Sequence, residues 1–290
     1  MSEDAFVRHR SLLFTVAYEM LGSAADAEDV VQETWLRWAN IDHAEVRDPR
    51  AYLVRIVTRQ ALNRLRTLAR RREDYVGEWL PEPLLTGPDV AADVELAESV
   101  SIAMLTVLET LGPAERAVFV LREVFDTPYE EVAEAVGKSP AAVRQIAHRA
   151  REHVAARRPR IPVSTTEQQE AVDRFLAAVR GGDLQGLLDV LAPDVVVVAD
   201  GGGLVAAARR PVEGAERVAG LLIRALRSLD YEVAAIWLNG SPAVWFDAGG
   251  GRNAAVCVAV ADGRITHIYF IANPHKLARL NTLADLTRTV

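Results

Sequence analysis

The chain has 290 residues, half of them hydrophobic and a quarter charged, which is typical of a folded protein with two or three domains. Its formal net charge of −7 argues against a generally basic nucleic-acid coat protein, although a total charge does not exclude local basic patches. Cys257 is the single cysteine, so an intrachain disulfide and a Cys/His zinc site are both excluded.

Residues 1–75 are predicted to be helical throughout. Apolar residues recur at helical spacing in three successive segments, the third of which runs from Arg50 to about Arg72. Gly22 separates the first two helices, and Asp48-Pro49 starts the third. The second helix has a polar face that periodicity alone would explain as solvated surface. The outer face predicted for the third helix is basic, and such a face could hold phosphates and stack on unpaired bases.

Residues 76–92 are predicted to be a linker. They contain Pro81, Pro83, Gly87 and Pro88, a density that no regular helix or strand tolerates. The string WLPEPLL within this segment is too apolar for a fully solvated linker. We therefore expect it to dock on another part of the protein.

Residues 93–158 are helical again and end in a helix-turn-helix pattern between Tyr129 and Arg151. Gly137 suits the left-handed position that ends a helix, while Ser139 and Pro140 suit the start of the next one. The second helix has a buried stripe and a guanidinium-rich outer face, which in this motif enters the DNA major groove. An ordinary helical hairpin with a solvated charged face is the alternative that this window leaves open.

A short linker at residues 159–165 precedes a segment of different character, residues 166–290. Two helices are predicted at its start, at about Thr166–Gly181 and at Leu184–Leu191, and a third at Ala215–Ser228. The remainder consists of β-like runs, one of which covers the string GLVAAARRPVEG.

Two hairpin signals, Asn239-Gly240 and Asp262-Gly263, separate later β-like runs. Helices followed by a mostly antiparallel meander predict an α+β domain with a curved sheet wrapped around helices.

Long strings in this chain resemble a known family. DAEDVVQETWLRW, followed by DPRAYLVRIVTRQALNRLRTLARRR, resembles region 2 of the extracytoplasmic-function branch of sigma-70 factors. LGPAERAVFVLREVFDTPYEEVAEAVGKSPAAVRQIAHRARE resembles region 4 of the same family. The WLPEPL linker, DGGG at 200–203 and NPHKL at 273–277 resemble the sigma-J type, a subgroup with a C-terminal SnoaL-like, NTF2-like extension.

The resemblance implies a fold class and a domain order. Two all-α domains, region 2 at residues 1–75 and the helix-turn-helix region 4 at residues 93–158, would be followed by an α+β NTF2/SnoaL-like cone-shaped domain at residues 166–290. The function implied is that of a sigma factor, which directs core RNA polymerase to specific promoters and starts transcription.

The resemblance also implies roles for residues on three helices. Docking on the coiled coil of the polymerase β′ subunit would involve Asp26, Asp29, Gln32, Glu33, Trp35 and Arg37. The −10 element would be contacted by Arg55, Arg59, Asn63, Arg64 and Arg66. The −35 element would be contacted by Ser139, Arg144, Gln145, His148, Arg149 and Arg151.

The extension is expected to tune the sigma domains in cis, without a separate anti-sigma factor. Because glycine has no Cβ, the backbone at residues 201–203 could approach a partner closely. The regulatory contacts are expected at Trp79, Leu80, Pro81, Glu82, Pro83, Asp200, Gly201, Gly202, Gly203, Asn273, Pro274 and Lys276.

The expected partners are promoter DNA and core RNA polymerase, through its β′ and β subunits. No cofactor, metal or catalytic residue is expected. Residues 1–10 are charged and lack the apolar core of a signal peptide, and no apolar run approaches ~20 residues. We therefore expect a cytoplasmic protein that does not enter a membrane.

Two alternatives remain open on the sequence alone. A one-component DNA-binding regulator would bind promoters without polymerase and sense a ligand in a C-terminal pocket. A fused SnoaL-like isomerase or hydrolase would use Asp194, Asp200, His267 or His275 as general base. The absence of a paired acid/base constellation weighs against the enzyme.

Overall fold

The computed structural model describes residues 2–72, 75–157, 163–227, 231–250 and 253–288. Residues 159–162 of the predicted second linker and Ser228, the predicted end of a helix, lie outside this range. The chain divides into two compact units. A helical unit comprises Met1–Glu73, Met104–Arg158 and Asp285–Val290, and an α+β unit comprises Asp74–Ala103 and Pro159–Ala284.

Three helices form the first part of the helical unit, as predicted. They are α1 Ser2–Leu21, α2 Ala24–Trp38 and α3 Pro49–Arg72, with a 3-10 turn at His43–Glu45 before α3. Gly22 has a positive φ of 66°, and the Ser23 hydroxyl caps α2 by accepting a hydrogen bond from the Asp26 amide at 3.2 Å. Apolar side chains such as Leu13 and Val16 are fully buried between the helices.

Short helices follow along the chain: α4 Val94–Val100, α5 Ile102–Leu108, α6 Pro113–Phe119, a π-helical turn Val120–Val124, α7 Tyr129–Val136 and α8 Pro140–Ala155. The predicted helix-turn-helix is confirmed at α7 and α8. Gly137 ends α7 in the left-handed region with a φ of 68°, and the Ser139 hydroxyl caps α8. Val143, Ile146, Ala147 and Ala150 form its buried stripe.

The α+β unit contains three further long or medium helices, α9 Thr165–Gly181, α10 Leu184–Val190 and α11 Ala215–Arg227, and the short α12 Pro274–Leu277. Its strands are β1 Leu191–Asp200, β2 Val212–Glu213, β3 Glu232–Leu238, β4 Ser241–Asp247, β5 Asn253–Ala261 and β6 Arg264–Ile271. The sheet order is β2-β1-β6-β5-β4-β3, with β1 and β6 parallel and the other neighbours antiparallel.

Both predicted hairpins are confirmed. Asn239 and Gly240 have φ values of 52° and 70°, and Asp262 and Gly263 have values of 51° and 68°. Two successive positive φ angles match the twist of a two-residue hairpin loop. The fold class, helical domains followed by an α+β domain, is likewise confirmed.

The strand predicted over GLVAAARRPVEG is wrong except for its end. Only Val212–Glu213 pair with β1, and the preceding residues are irregular. Gly202 and Gly203 both have positive φ, and the amides of Leu204 and Val205 donate to the Gly201 carbonyl at 3.0 and 3.1 Å. The amides of Leu204 and Val205 are therefore hydrogen-bonded within this tight turn and do not pair with β1.

The sheet buries side chains on both faces. One face packs with α9, α10 and α11 around Phe175, Leu187 and Ile268. On the opposite face, Leu80 of the predicted linker and Ile102 lie against Leu238, Ala255, Cys257 and Ile271. Among the helices that the structure describes, none is long and apolar enough to cross a bilayer.

Candidate functional site

The outer face of α8 is exposed, as the helix-turn-helix pattern predicts. The side chains of Arg144, Gln145, His148, Arg149 and Arg151 all point to solvent. Ser139 is held by its capping role, since its hydroxyl accepts from the Ala142 amide at 3.2 Å.

Four residues of this face pair with carboxylates of the same unit. Arg144 contacts Glu130 at 3.1 Å, Arg151 contacts Glu123 at 3.4 Å, His148 approaches Glu152 at 3.6 Å and Arg149 approaches Glu115 at 4.0 Å. Exposed pairs of this kind contribute only ~0–1 kcal/mol each, so they yield readily to phosphate.

The basic face of α3 meets α7 within the helical unit. Arg55 pairs with the Glu134 carboxylate at 3.1 Å and lies over the Tyr52 ring, with its guanidinium carbon 5.1 Å from the ring centroid. Arg59 donates to the Glu134 carbonyl at 2.8 Å. Guanidinium groups bind well at the carbonyls that end a helix, where the helix dipole is negative. Two of the predicted −10 residues, Arg55 and Arg59, therefore contact the first helix of the helix-turn-helix.

Arg64 joins two sets of residues that the sequence assigned to different partners. It pairs with Asp26 at 2.7 Å and with Asp29 at 2.5 Å, both on α2. Gln60 similarly donates to Glu33 at 2.8 Å. The remaining predicted −10 residues, Asn63 and Arg66, are exposed on the outer face of α3.

An apolar and polar surface remains open on α2. Gln32 and Arg37 are exposed, and Leu36 between them is 55% exposed. Trp35 is half-buried against Phe6, with ring centroids 5.0 Å apart. An exposed leucine beside an aromatic ring and charged residues suits a protein-protein contact.

A buried polar network lies in the α+β unit, centred on Asp200 at the end of β1. The Asp200 side chain is fully buried and pairs with the Lys276 ammonium at 2.6 Å. It also accepts hydrogen bonds from the Tyr75 hydroxyl at 2.6 Å, the Leu80 amide at 2.9 Å and the Gly202 amide at 3.0 Å. A buried carboxylate is tolerated when it is paired and its oxygens are satisfied in this way.

The same network includes half of the residues predicted from the DGGG, NPHKL and WLPEPL motifs. The Lys276 ammonium donates to the Leu80 carbonyl and lies 3.9 Å from the Trp79 ring centroid. Asn273 donates to the Tyr75 hydroxyl at 2.8 Å. A Cβ at Gly202 would collide with the Asn273 side chain, so glycine is required for this approach.

The other predicted members differ in burial. Pro81, Glu82 and Pro83 are buried, whereas Pro274 is exposed at the start of α12. Gly201 sits in the turn after β1, where a Cβ would collide with the Val205 carbonyl. Gly203 has a positive φ of 72°, and a Cβ there would lie 3.1 Å from Val76.

A second anchor, which the sequence reasoning missed, holds the following linker residues. Asn239 is fully buried; its side chain accepts from the Leu84 amide at 2.8 Å and donates to the Val100 carbonyl at 2.8 Å. Thr86 accepts from the Gly240 amide at 3.0 Å through its hydroxyl, and its own amide donates to the Trp237 carbonyl at 3.1 Å. The sequence predicts only a turn at Asn239-Gly240, because Asn is common in turns for its backbone conformation alone.

Tyr75 was missed as well. It precedes the apolar WLPEPL string by several residues and has no neighbouring pattern that would single it out. Burial and the Asp200 carboxylate raise the pKa of the Tyr75 hydroxyl, which keeps it protonated as a donor.

The candidate general bases do not form an acid/base constellation with Asp200. Asp194 and His275 are exposed, and His267 is half-buried and stacks on Tyr269 with ring centroids 6.0 Å apart. Burial lowers the pKa of His267, and nearby Asp194 partly opposes this shift. Asp200 itself is occupied by the linker. No cluster of potential metal ligands occurs among the described residues.

Comparisons with known proteins agree with the helical geometry. Residues 5–71 match sigma-70 region 2, and residues 101–154 match sigma-70 region 4. The ECF RNA polymerase sigma factor SigJ of Mycobacterium tuberculosis H37Rv is 40% identical over 95% of this chain and 93% of the relative. The probable ECF RNA polymerase sigma factor SigI of M. tuberculosis CDC 1551 is 32% identical over 94% of this chain and 93% of that protein.

The similarity extends to three-dimensional structure. The crystal structure of M. tuberculosis SigJ superposes with a TM-score of 0.76 at 35% identity, covering 93% of this chain and 96% of that one. Such similarity over nearly the whole length includes the helical regions and the α+β domain. The chain therefore belongs to the extracytoplasmic-function RNA polymerase sigma factors of the sigma-70 family, transcription factors without enzymatic activity that bind core RNA polymerase and promoter DNA.

Proposed function

We propose that this sigma factor docks on core polymerase through α2, binds the −10 element through α3 and binds the −35 element through α8, with its α+β domain regulating these contacts in cis. The functional boundaries proposed are region 2 at residues 1–75, region 4 at 93–158 and the regulatory domain at 166–290. The linkers are residues 76–92 and 159–165. The site of action is the cytoplasm, and no separate anti-sigma factor is required.

The cis regulation is supported above all by the burial of Asp200 with linker groups. The linker joins region 2 to region 4, so whatever holds it influences how far those regions can separate. Tyr75, Leu80, Leu84 and Thr86 are all hydrogen-bonded to the α+β domain. This domain therefore acts directly on the connection between the two promoter-binding regions.

The length of the linker limits how far regions 2 and 4 can separate. The −10 and −35 elements lie roughly 25 base pairs apart, which is roughly 85 Å at about 3.4 Å per base pair. Residues 76–92 span at most roughly 60 Å when fully extended, and less when they follow the surface of the domain. Docking or release of the linker thus changes the separation that the two regions can reach.

Run-off transcription with core polymerase tests this proposal. We compare the full chain with a chain truncated before Ser164 and with Asp200→Ala, which removes the buried carboxylate that pairs with Lys276. Losing one partner of a buried pair costs roughly 3–5 kcal/mol, enough to undock the linker. Transcript levels should change in both variants.

The matched control is Asp173→Ala, which removes an exposed carboxylate from α9 of the same domain. It should transcribe like the unmodified chain. Equal transcript levels and equal polymerase affinity for all four proteins would refute the proposed cis regulation while leaving family membership untouched. Co-purification of a further inhibitory protein with the unmodified chain would contradict independence from an anti-sigma factor.

A further inference from the structure

Residues Asp285–Arg288 belong to the helical unit, although they follow the α+β domain in sequence. The Asp285 carboxylate accepts a hydrogen bond from the Ser11 hydroxyl, and the Thr287 amide donates to the Thr15 hydroxyl at 3.1 Å. Leu286 between them is 7% exposed. This short segment therefore packs on α1, the first helix of region 2.

The same segment reaches region 4 with its next side chain. The Arg288 guanidinium donates to the Val124 carbonyl at 3.2 Å. Val124 is the last residue of the π-helical turn that follows α6, where carbonyl groups lack partners within the helix. A cation at such an end is favoured both as a donor and by the helix dipole.

The spacing of the two α1 hydroxyl groups, one a donor and one an acceptor, fits an extended peptide. Ser11 and Thr15 are four residues apart on α1, which places them about 6 Å apart along the helix. Alternate residues of an extended chain, such as Asp285 and Thr287, lie about 6.6 Å apart. The Thr15 hydroxyl also donates to the Ser11 carbonyl at 2.8 Å, so its oxygen is oriented to accept from Thr287.

We propose that the seam between α1 and the Val120–Val124 turn is a peptide-docking site, and that the chain's own Asp285–Arg288 segment occupies it and straps region 2 to region 4. The strap acts alongside two other contacts between these regions. The fully buried Arg116 of α6 donates to the Glu19 carbonyl of α1 at 3.0 Å, and Arg55 of α3 pairs with Glu134 of α7.

The strap favours the state in which regions 2 and 4 form one compact unit. Two promoter elements roughly 85 Å apart cannot both be contacted from that state. Release of Asp285–Arg288 is therefore a step toward promoter engagement. Because the segment is tethered, its effective concentration at the seam is on the order of millimolar, so a few weak contacts suffice to keep it docked.

The test measures the separation of the two regions by single-molecule energy transfer in the full-length protein. Dyes are attached at Ala44→Cys in region 2 and Ala156→Cys in region 4, both of which are exposed. The native Cys257 does not compete, since it is buried and its burial raises its pKa to about 12.

Arg288→Ala and Thr287→Pro each remove one donor from the strap. We expect either substitution to raise the ratio of separated to compact molecules by about tenfold, as for the loss of a hydrogen bond involving a charged group or of a buried backbone donor. The matched control is Arg279→Ala, which removes the same charge from an exposed position shortly before the strap. It should leave the ratio unchanged.

Equal distributions for Arg288→Ala, Thr287→Pro and Arg279→Ala would overturn the strap. These variants leave the contacts among Tyr75, Leu80 and Asp200 in place, so that outcome would not bear on regulation through the linker. A tenfold change in the ratio of separated to compact molecules for Arg288→Ala and Thr287→Pro, but not for Arg279→Ala, would support the strap.

Discussion

The arginines predicted to contact DNA differ in how strongly they are paired with carboxylates of the same chain. Arg64 lies between two aspartates of α2 at 2.7 and 2.5 Å, so DNA would have to replace both of these contacts. Arg149 on α8 has one carboxylate at 4.0 Å, and its side chain is 59% exposed. The weaker pairing makes Arg149 the arginine of choice for testing the −35 role.

Arg149→Ala should reduce binding of the polymerase holoenzyme to a promoter that contains the −35 element. A phosphate or base contact by arginine contributes roughly 1–3 kcal/mol, so affinity should fall by about 5- to 150-fold. If the contact is to phosphate, the slope of log affinity against log salt should decrease by about 1. Binding is measured by footprinting at several salt concentrations.

Arg157→Ala serves as the control. Arg157 is an exposed arginine just after α8, so its substitution removes the same charge. An identical footprint and salt slope for Arg149→Ala and Arg157→Ala would argue against a specific role of α8.

Residues from conspicuous motifs meet in the structure as the sequence predicts, while their regulatory role stays a prediction. Asp200, Gly202 and Lys276 belong to conspicuous motifs, and they do converge with Leu80 in one buried network. Tyr75 and Asn239 gave no such signal, since a lone tyrosine and a turn asparagine each have ordinary explanations. Their hydrogen bonds depend on which distant segments meet, which local pattern cannot reveal.

At the scale of elements, helices were predicted more reliably than strands. Apolar periodicity and caps place α3, α8 and α9 within a residue or two of their observed starts. The irregular segment before β2 contains the continuous apolar run 204–208, which resembles a strand in sequence. Its glycines instead form a turn that is needed to position Gly202 beside Asn273.

The two hairpin turns of the sheet offer a matched pair of glycines. Gly240 and Gly263 both occupy the second turn position with φ values of 70° and 68°. A Cβ at Gly263 would meet nothing within 4 Å, whereas a Cβ at Gly240 would lie 2.9 Å from the Ala97 backbone and 3.1 Å from Val90. Gly240 thus lies against Val90 of the docked linker and Ala97 of α4, whereas a side chain at Gly263 would have open space.

Gly263→Ala should lower the free energy of unfolding by about 1–2 kcal/mol, the cost of the left-handed backbone alone. Gly240→Ala should cost more than this and should also expose the linker amides of Leu84 and Thr86 to hydrogen exchange. Urea unfolding and exchange mass spectrometry provide the two measurements. Equal effects of the two substitutions, with the linker protected in both, would show that the linker does not pack on the β3–β4 turn in solution.

At the scale of the whole molecule, the two promoter-binding regions share one compact unit. Region 4 covers part of the α3 face through Glu134, and the π-helical turn contacts α1 through the strap. A chain with a net charge of −7 thus provides its own carboxylates to the arginines that DNA would bind. We expect these intramolecular pairs to compete with phosphate and to limit nonspecific binding of the free protein to DNA.

Glu134→Ala tests this competition directly. It removes the carboxylate that pairs with Arg55 at 3.1 Å but keeps the carbonyl to which Arg59 donates. Glu131→Ala removes the same charge from an exposed position one turn earlier on α7, so it controls for the general change in electrostatics. An exposed ion pair contributes ~0–1 kcal/mol, so Glu134→Ala should increase affinity of the free protein for a −10 oligonucleotide by up to about fivefold relative to Glu131→Ala.

Titration by fluorescence anisotropy at low salt measures this difference in affinity, and the difference should shrink as salt rises. If both variants bind equally, Arg55 is not masked by Glu134, and the compact unit limits promoter binding by geometry alone.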